Sequence, residues 1–189
     1  YFQKVAMGLF DDRADTLAKG REAARQAHEM MGDANSLMLG AWFDLFDREY
    51  EAAQEKVRMA SKIGSPSGDN LAVAGSVYLL SGQPEPARKS FVDAMRVSPF
   101  HPPWYANRLV TSLVLLERYE EATEVARSIV EKGDQGKITP YAHARALVSL
   151  AIIAKRQNDD NAGRKAVKRL IEVNPNFTQR TLSMYIGQM

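Results

Sequence analysis

The sequence predicts an all-α fold of stacked helical hairpins, because one phrase recurs four times along the chain. The four copies read REYEAAQEKV, GQPEPARKSF, ERYEEATEVA and NDDNAGRKAV. Each copy carries a small residue at the same place, and these residues are spaced 34, 35 and 41 positions apart: Ala53, Ala87, Ala122 and Gly163. A sequence period of this length is typical of repeat proteins whose units stack side by side.

Each phrase lies between two segments that have the apolar periodicity of an α-helix. In the second unit, these residues share one face of the first helix: Leu71, Ala74, Gly75 and Tyr78. Ala87, Phe91 and Ala94 mark the facing side of the second helix. The small residues Gly75 and Ala87 let the two backbones approach, and larger neighbours fill the space beside them. The sequence therefore predicts a helix–turn–helix unit.

Turn signals punctuate these units at regular places. A polar turn between the two helices begins near these residues: Arg48, Gly82, Glu117 and Asn158. Three units also end near a proline, at Pro66, Pro99 and Pro175. Proline stops a helix and often opens the next element, so these positions favour boundaries between units.

The repeated unit resembles the tetratricopeptide repeat (TPR), a helix–turn–helix module of about 34 residues. The resemblance runs from Ala34 to Pro175 and implies a right-handed superhelix of stacked hairpins with a concave surface. The third unit departs from the pattern because it lacks the closing proline. Extra residues also precede the fourth unit, between Gly133 and His143, and Gly163 replaces the usual alanine.

The predicted array is a single domain over residues 4–189. Its parts are an N-terminal partial unit (4–33), four TPR-like units (34–67, 68–102, 103–143 and 144–177) and a closing helix (178–189). The closing helix places these apolar residues on one face, which could cover the last unit: Leu182, Tyr185, Ile186 and Met189. Residues 1–3 (YFQ) resemble the end of a cleavable tag and are set aside.

A second resemblance concerns the phrases at the ends of the units. VSP (97–99), HPPWY (101–105), RYEEA (118–122) and LIEVNPNFT (170–178) are similar to phrases in TPR arrays that follow bacterial class III adenylate/guanylate cyclase domains, and in related signalling regulators. This resemblance implies a regulatory or scaffolding segment of a bacterial signalling protein. It assigns no catalytic residue to this chain, so a cyclase domain would lie elsewhere in the parent protein.

Composition excludes several classes of function. The net charge of +2 is too small to indicate a nucleic-acid partner. No apolar run approaches a membrane span, so no membrane partner is expected. The chain has no cysteine, which fits a cytoplasmic location, and its three histidines lack metal-ligand spacing. No nucleophile or phosphate-loop motif is present, so we expect neither a catalytic residue nor a cofactor.

The concave face of such an array is lined by the first helix of each unit. The candidate binding residues are those on these helices that fall beside the packing stripe: Asn35, Met38, Trp42, Asp69, Ser76, Trp104, Asn107, Arg108, Thr111, Arg145, Ser149 and Arg156. The arginine side chains favour a carboxylate partner, because the guanidinium fork matches it. Trp42 and Trp104 are either anchors for a partner or packing residues between repeats.

Two functions remain open at this point. The first is a non-catalytic interaction module that binds a protein or peptide in its concave groove. The second is self-association, for example as a homodimer, through the N-terminal partial unit and the apolar closing helix. The sequence identifies neither the partner nor the face that it contacts.

Overall fold

A computed structural model describes residues 13–64 and 67–178. These ranges contain helices and no strand: α1 (Arg13–Met31), α2 (Ala34–Phe46), α3 (Tyr50–Ile63), α4 (Gly68–Leu80), α5 (Pro84–Val97), α6 (Pro103–Leu115), α7 (Tyr119–Asp134), α8 (Pro140–Arg156) and α9 (Asp160–Val173). The tag remnant predicted at 1–3 lies outside the described residues. So does the closing helix predicted at 178–189, apart from Thr178.

Four hairpins follow one another, α2–α3, α4–α5, α6–α7 and α8–α9, and each is closed by the same backbone turn. The turn residue has a positive φ in every hairpin: Arg48 (63°), Gly82 (75°), Glu117 (58°) and Asn158 (58°). The N–H of the residue that follows then bonds back into the first helix, as Gln83 N does to Tyr78 O at 2.8 Å. This residue, whose backbone has a left-handed conformation, ends the first helix and reverses the direction of the chain.

Short polar side chains and prolines begin several of the helices. The carboxylate of Asp33 accepts a hydrogen bond from the Ser36 N–H at the start of α2. The Ser67 and Thr139 hydroxyls cap α4 and α8 in the same way. Pro84, Pro103 and Pro140 occupy the first turn of their helices, where no N–H is needed: they begin α5, α6 and α8.

Within and between hairpins, small residues face large ones. The repeated residues Ala53, Ala87 and Ala122 are completely buried. Phe91 is also completely buried, and its ring lies so close to Gly75 that an added Cβ there would sit 3.0 Å from ring carbons. This confirms the close approach that the sequence predicts for the second unit.

The first helices of successive hairpins contact one another. Contacts join α2 to α4, α4 to α6 and α6 to α8, whereas no comparable contact joins α3, α5, α7 and α9 in the described ranges. Because one set of helices is closer together than the other, the stack curves with α2, α4, α6 and α8 on its inside. We call the surface formed by these four helices the inner surface.

The ends of the described region differ from the four central hairpins. Helix α1 packs alone on α2, where Leu17 and Ala24 contact Phe43, and Gly20 leaves room for the Phe43 ring. At the other end, α8 begins at Pro140, so the boundary predicted between residues 143 and 144 falls inside a helix. The Thr139 cap and the Pro140 ring start this helix of 17 residues, whereas the predicted unit begins at residue 144.

Replacing Glu117 by glycine should stabilise the fold. A residue with a side chain pays roughly 1–2 kcal/mol to adopt a left-handed backbone conformation, and glycine avoids this cost. Glycine also makes the unfolded chain more flexible, which offsets part of the stabilisation. We expect a net gain of about 1 kcal/mol and a melting temperature about 2–4 °C higher by circular dichroism. The reverse change, Gly82→Glu, should lower the melting temperature. If Glu117→Gly and the parent chain have the same melting temperature, this account of the turn is wrong.

Phe91→Ala should cost about 3–5 kcal/mol, because it empties the space between Gly75, Ala87 and α6. The melting temperature should fall by roughly 10 °C. Phe100 is the matched control, since its side chain is fully exposed on the α5–α6 connection. Phe100→Ala should have the same melting temperature as the parent chain. If it lowers the melting temperature as much as Phe91→Ala does, burial does not explain the effect of Phe91→Ala.

Candidate functional site

The structure places the predicted binding residues at different depths of the inner surface. Asn35, Asp69 and Arg156 are exposed, and Trp104 and Arg108 are half-buried. The remaining predicted residues are buried: Met38, Trp42, Ser76, Asn107, Thr111, Arg145 and Ser149. The exposed and half-buried side chains are therefore accessible to solvent, whereas the buried side chains are not.

An aromatic cluster occupies the inner surface over α4. The ring centroids of Trp42 on α2 and Trp104 on α6 lie 5.9 Å apart, and the rings meet edge to face. They meet although α4 lies between their helices in the stack. On α4, the completely buried Ser76 takes the repeat position that Trp42 takes on α2, so no large side chain keeps the two tryptophans apart.

Tyr105, which the sequence interpretation missed, fixes the position of this cluster. The Tyr105 ring is completely buried and stacks on the His101 ring. Its centroid lies 4.5 Å from the centroid of the Trp104 ring. Its hydroxyl donates a hydrogen bond to the carboxylate of Asp69 on α4. Burial and this bond raise the pKa of the Tyr105 phenol, so it remains a donor. The signal was present in the sequence as the second aromatic of HPPWY.

Two arginines follow the aromatic cluster, Arg108 on the same helix as Trp104 and Arg145 on the next inner helix. Arg108 on α6 is half-buried, and Arg145 on α8 is only 5% exposed. Desolvation, and then the positive charge of Arg145, lower the pKa of the Arg108 guanidinium to about 9. Tyr141, a further residue that sequence reasoning missed, lies close enough to influence Arg108 as well. The charge of Arg145 thus acts on Arg108, and the positive patch that the sequence predicts for Asn107, Arg108 and Arg145 stays a prediction.

Asn107 lies between α6 and α8 and is only 2% exposed. Its amide nitrogen Nδ2 donates long hydrogen bonds to Pro103 O (3.3 Å) and to Ala142 O (3.4 Å). Its amide oxygen Oδ1 is buried and accepts no hydrogen bond from the residues described. A buried acceptor left in this state costs free energy, which a donor brought by a ligand would recover.

The three predicted hydroxyl residues direct their donors to their own helices. Ser76 Oγ donates to Ala72 O, Thr111 Oγ1 to Asn107 O and Ser149 Oγ to Arg145 O, at 3.0–3.2 Å. These bonds satisfy buried hydroxyls without a partner. Because these three side chains are small, they fill little of the inner surface and leave room for larger neighbouring side chains.

Other kinds of site find no support in the described part of the chain. Over residues 13–64 and 67–178, no three His, Cys, Asp or Glu side chains come together as metal ligands. Among the helices that the structure describes, none combines the length and the apolar character needed to cross a bilayer. The most developed arrangement there is the inner surface, with its aromatic cluster (Trp42, Trp104, Tyr105) and its basic pair (Arg108, Arg145).

Comparison with known proteins identifies the architecture. No protein-family model matches the chain, and no curated protein matches its sequence. Among solved structures, the chain is similar to YrrB, described as a TPR protein with an unusual peptide-binding site. The TM-score is 0.69 at 16% identity, over 92% of this chain and 83% of YrrB.

Two further solved structures agree with this assignment. MamA matches with a TM-score of 0.67 at 13% identity, over 82% of this chain and 86% of MamA. PilF of Pseudomonas aeruginosa matches with a TM-score of 0.61 at 20% identity, over 88% of this chain and 72% of PilF. With the four hairpins and their shared turn, these similarities show that the chain has the fold of a tetratricopeptide-repeat superhelix.

Proposed function

We propose that the chain is a non-catalytic module that binds a protein or peptide segment on its inner surface. The observation that carries this proposal is the Trp42–Trp104 contact, together with Arg108 on the same helix as Trp104 and Arg145 on the next inner helix. Large aromatic rings and arginines supply most of the binding free energy at protein interfaces. Here both kinds of residue share one concave surface.

The position of the aromatic cluster suits an apolar part of a partner. Trp104 keeps part of its side chain exposed while Trp42 and Tyr105 hold the ring from two sides. A ring that is already ordered loses little conformational entropy when a partner covers it. The description of YrrB as a peptide-binding protein with this fold supports the same class of partner.

The proposal extends to the parent protein through the resemblance of the unit ends to cyclase-associated arrays. On that basis, the segment would regulate or scaffold a bacterial signalling protein in the cytoplasm, and a cyclase domain would lie outside this chain. The inner surface would then recruit either a partner protein or another segment of the parent.

Removing the Trp104 ring should weaken peptide binding. Peptides selected from a random library displayed on phage should bind the parent chain and shift its tryptophan fluorescence, since both tryptophans lie on the inner surface. Trp104→Ala should cost about 2 kcal/mol, or roughly 30-fold in affinity. Calorimetry measures the affinity, and circular dichroism confirms that the variant is folded.

Two controls accompany this measurement. Phe100→Ala removes an exposed aromatic ring from the α5–α6 connection and should leave affinity unchanged. Trp104→Phe keeps an aromatic ring against Tyr105 and should retain most of the binding. The proposal is wrong if no selected peptide loses affinity in Trp104→Ala, or if Phe100→Ala loses as much.

Self-association is the second candidate, and the outer face of α9 favours it. Val167 and Ile171 are 43% and 52% exposed. They border a cavity of about 570 Å³ beside α8. Val57, Phe91 and Ala126 take the repeat position of Val167 in the earlier hairpins, and all three are buried because another hairpin follows. A second copy of the chain is one body that could cover this face.

Light scattering at increasing concentration distinguishes this candidate. If self-association uses the α9 face, the parent chain should exceed its monomer mass and Val167→Lys should return it to that mass. Val92→Lys is a matched control, because Val92 on α5 has the same 43% exposure. A parent chain that stays at monomer mass, or a Val92→Lys variant that dissociates equally, would exclude the α9 face as a dimer contact.

A further inference from the structure

The insertion that interrupts the repeat is closed by a contact between its two ends. The sequence departs from the repeat spacing between Gly133 and His143, and in the structure the His143 ring on α8 lies directly against Gly133 on α7. The ring leaves no room for a Cβ at position 133, so glycine is required there unless the helices shift apart. His143 is only 4% exposed, whereas the other two histidines, His28 and His101, are half-buried. The insertion therefore ends in a buried side chain that can titrate.

The buried ring lies beside an ion pair that joins two hairpins. Asp134, the last residue of α7, pairs with Arg169 on α9, and its Oδ1 lies 2.6 Å from Nη2 of that arginine. The same Oδ1 lies 3.4 Å from Nε2 of His143, which makes no hydrogen bond with the described residues. Val130 of α7 and Leu170 of α9 belong to one apolar cluster with residues of α8. Three helices thus meet around this histidine, and we call their contact the α7–α8–α9 junction.

Two charged groups act on the buried ring, and they are Asp134 and Arg169. Arg169 also pairs with Glu172 on its own helix. On α6 and α8, the charges of Arg108 and Arg145 act on each other. The remaining charged residues near the end of α7 and in its connection to α8 are exposed to solvent: Glu131, Lys132 and Lys137. An added positive charge on the ring would therefore have to share the Asp134 carboxylate with an arginine.

The neutral form of His143 suits this junction better than the imidazolium form. A charge in a buried place without a hydrogen bond is costly. Desolvation lowers the pKa of the His143 imidazole, the Asp134 carboxylate opposes this shift, and the charge of Arg169 adds to it. When the junction opens, water reaches the ring and the pKa returns to its ordinary value. Protons therefore bind preferentially to the open form, and the packed form loses stability as the pH falls below that ordinary value.

We propose that the α7–α8–α9 junction is an acid-sensitive contact, in which protonation of His143 releases the α8–α9 hairpin from α7 while the first three hairpins stay packed. In a repeat array each hairpin contacts its neighbours alone, so a hairpin near the end can open by itself. Because α8 is one of the four helices of the inner surface, its release would remove part of that surface. This inference concerns the fold and does not rest on the proposed function.

Hydrogen exchange of the full chain, followed by mass spectrometry, tests this inference. Protection factors, which correct for the intrinsic effect of pH on exchange, are compared at about pH 7.5 and about pH 5.5. We expect the protection of α8–α9 to fall roughly three- to tenfold, because an exposed imidazole is about nine-tenths protonated at the lower pH. The α2–α3 hairpin should keep its protection, because it can open from its own end without exposing His143.

Two histidine variants locate the effect. His143→Gln keeps a polar side chain that does not titrate, so its α8–α9 protection should be the same at both pH values. His101→Gln removes a histidine on the α5–α6 connection, outside the junction, and should retain the full loss seen in the parent chain. Each variant is compared with itself at two pH values, so a lower overall stability of His143→Gln does not obscure the result.

Titration of the histidine ring signals by NMR gives a test that needs no change at position 143. The double variant His28→Gln, His101→Gln leaves one histidine signal, which belongs to His143. Its titration midpoint should lie at a lower pH in the folded chain than in the same chain unfolded by urea. A folded midpoint at or above the unfolded one would overturn the proposal. So would α8–α9 protection that rises in acid, or an equal loss in His143→Gln and the parent chain.

Discussion

Contact between a small residue on one helix and a large residue on the next is the constraint on which the array depends. Ala53, Ala87 and Ala122 have no exposed surface, and the ring of Phe91 lies against Gly75. These contacts bring the two helices of one hairpin close, and each hairpin buries its apolar face only because another hairpin covers it. Stability therefore comes from repetition, and losing one large residue affects two units.

The same packing produces the concave surface. The inner helices α2, α4, α6 and α8 contact one another, while the outer helices are farther apart. Curvature then brings together side chains from helices that are not neighbours in the stack, as for Trp42 and Trp104. The site is thus a consequence of the small residues on α4, which leave the inner surface open to side chains from both sides.

Polar groups are distributed unequally between the two surfaces. On the outer helices, charged residues form ion pairs within one helical turn, such as Arg88 with Glu85 and Arg118 with Glu121, and these exposed pairs contribute little to stability. On the inner surface, Asn107 is buried and its Oδ1 accepts no hydrogen bond from the described residues, which costs free energy. A residue that opposes stability in this way is typical of a binding site, which favours the proposed function of the inner surface.

The sequence by itself determined the repeat, the hairpin and its turn. Small residues recur at a constant spacing, and Arg48, Gly82, Glu117 and Asn158 mark the predicted turns, which the structure closes with a positive φ. These features are local, because each depends on residues within one unit. The positive patch predicted for Arg108 and Arg145, and the role of either residue in binding, stay predictions.

Only the tertiary structure decided how deep each inner residue lies and which of them meet across the stack. Met38, Thr111 and Ser149 were predicted beside the packing stripe, yet they are buried. The start of α8 at Pro140 likewise depended on its cap and not on the repeat spacing. Periodicity assigns a residue to a helix face, but curvature and the size of side chains on neighbouring helices determine whether that face is open, covered or shared.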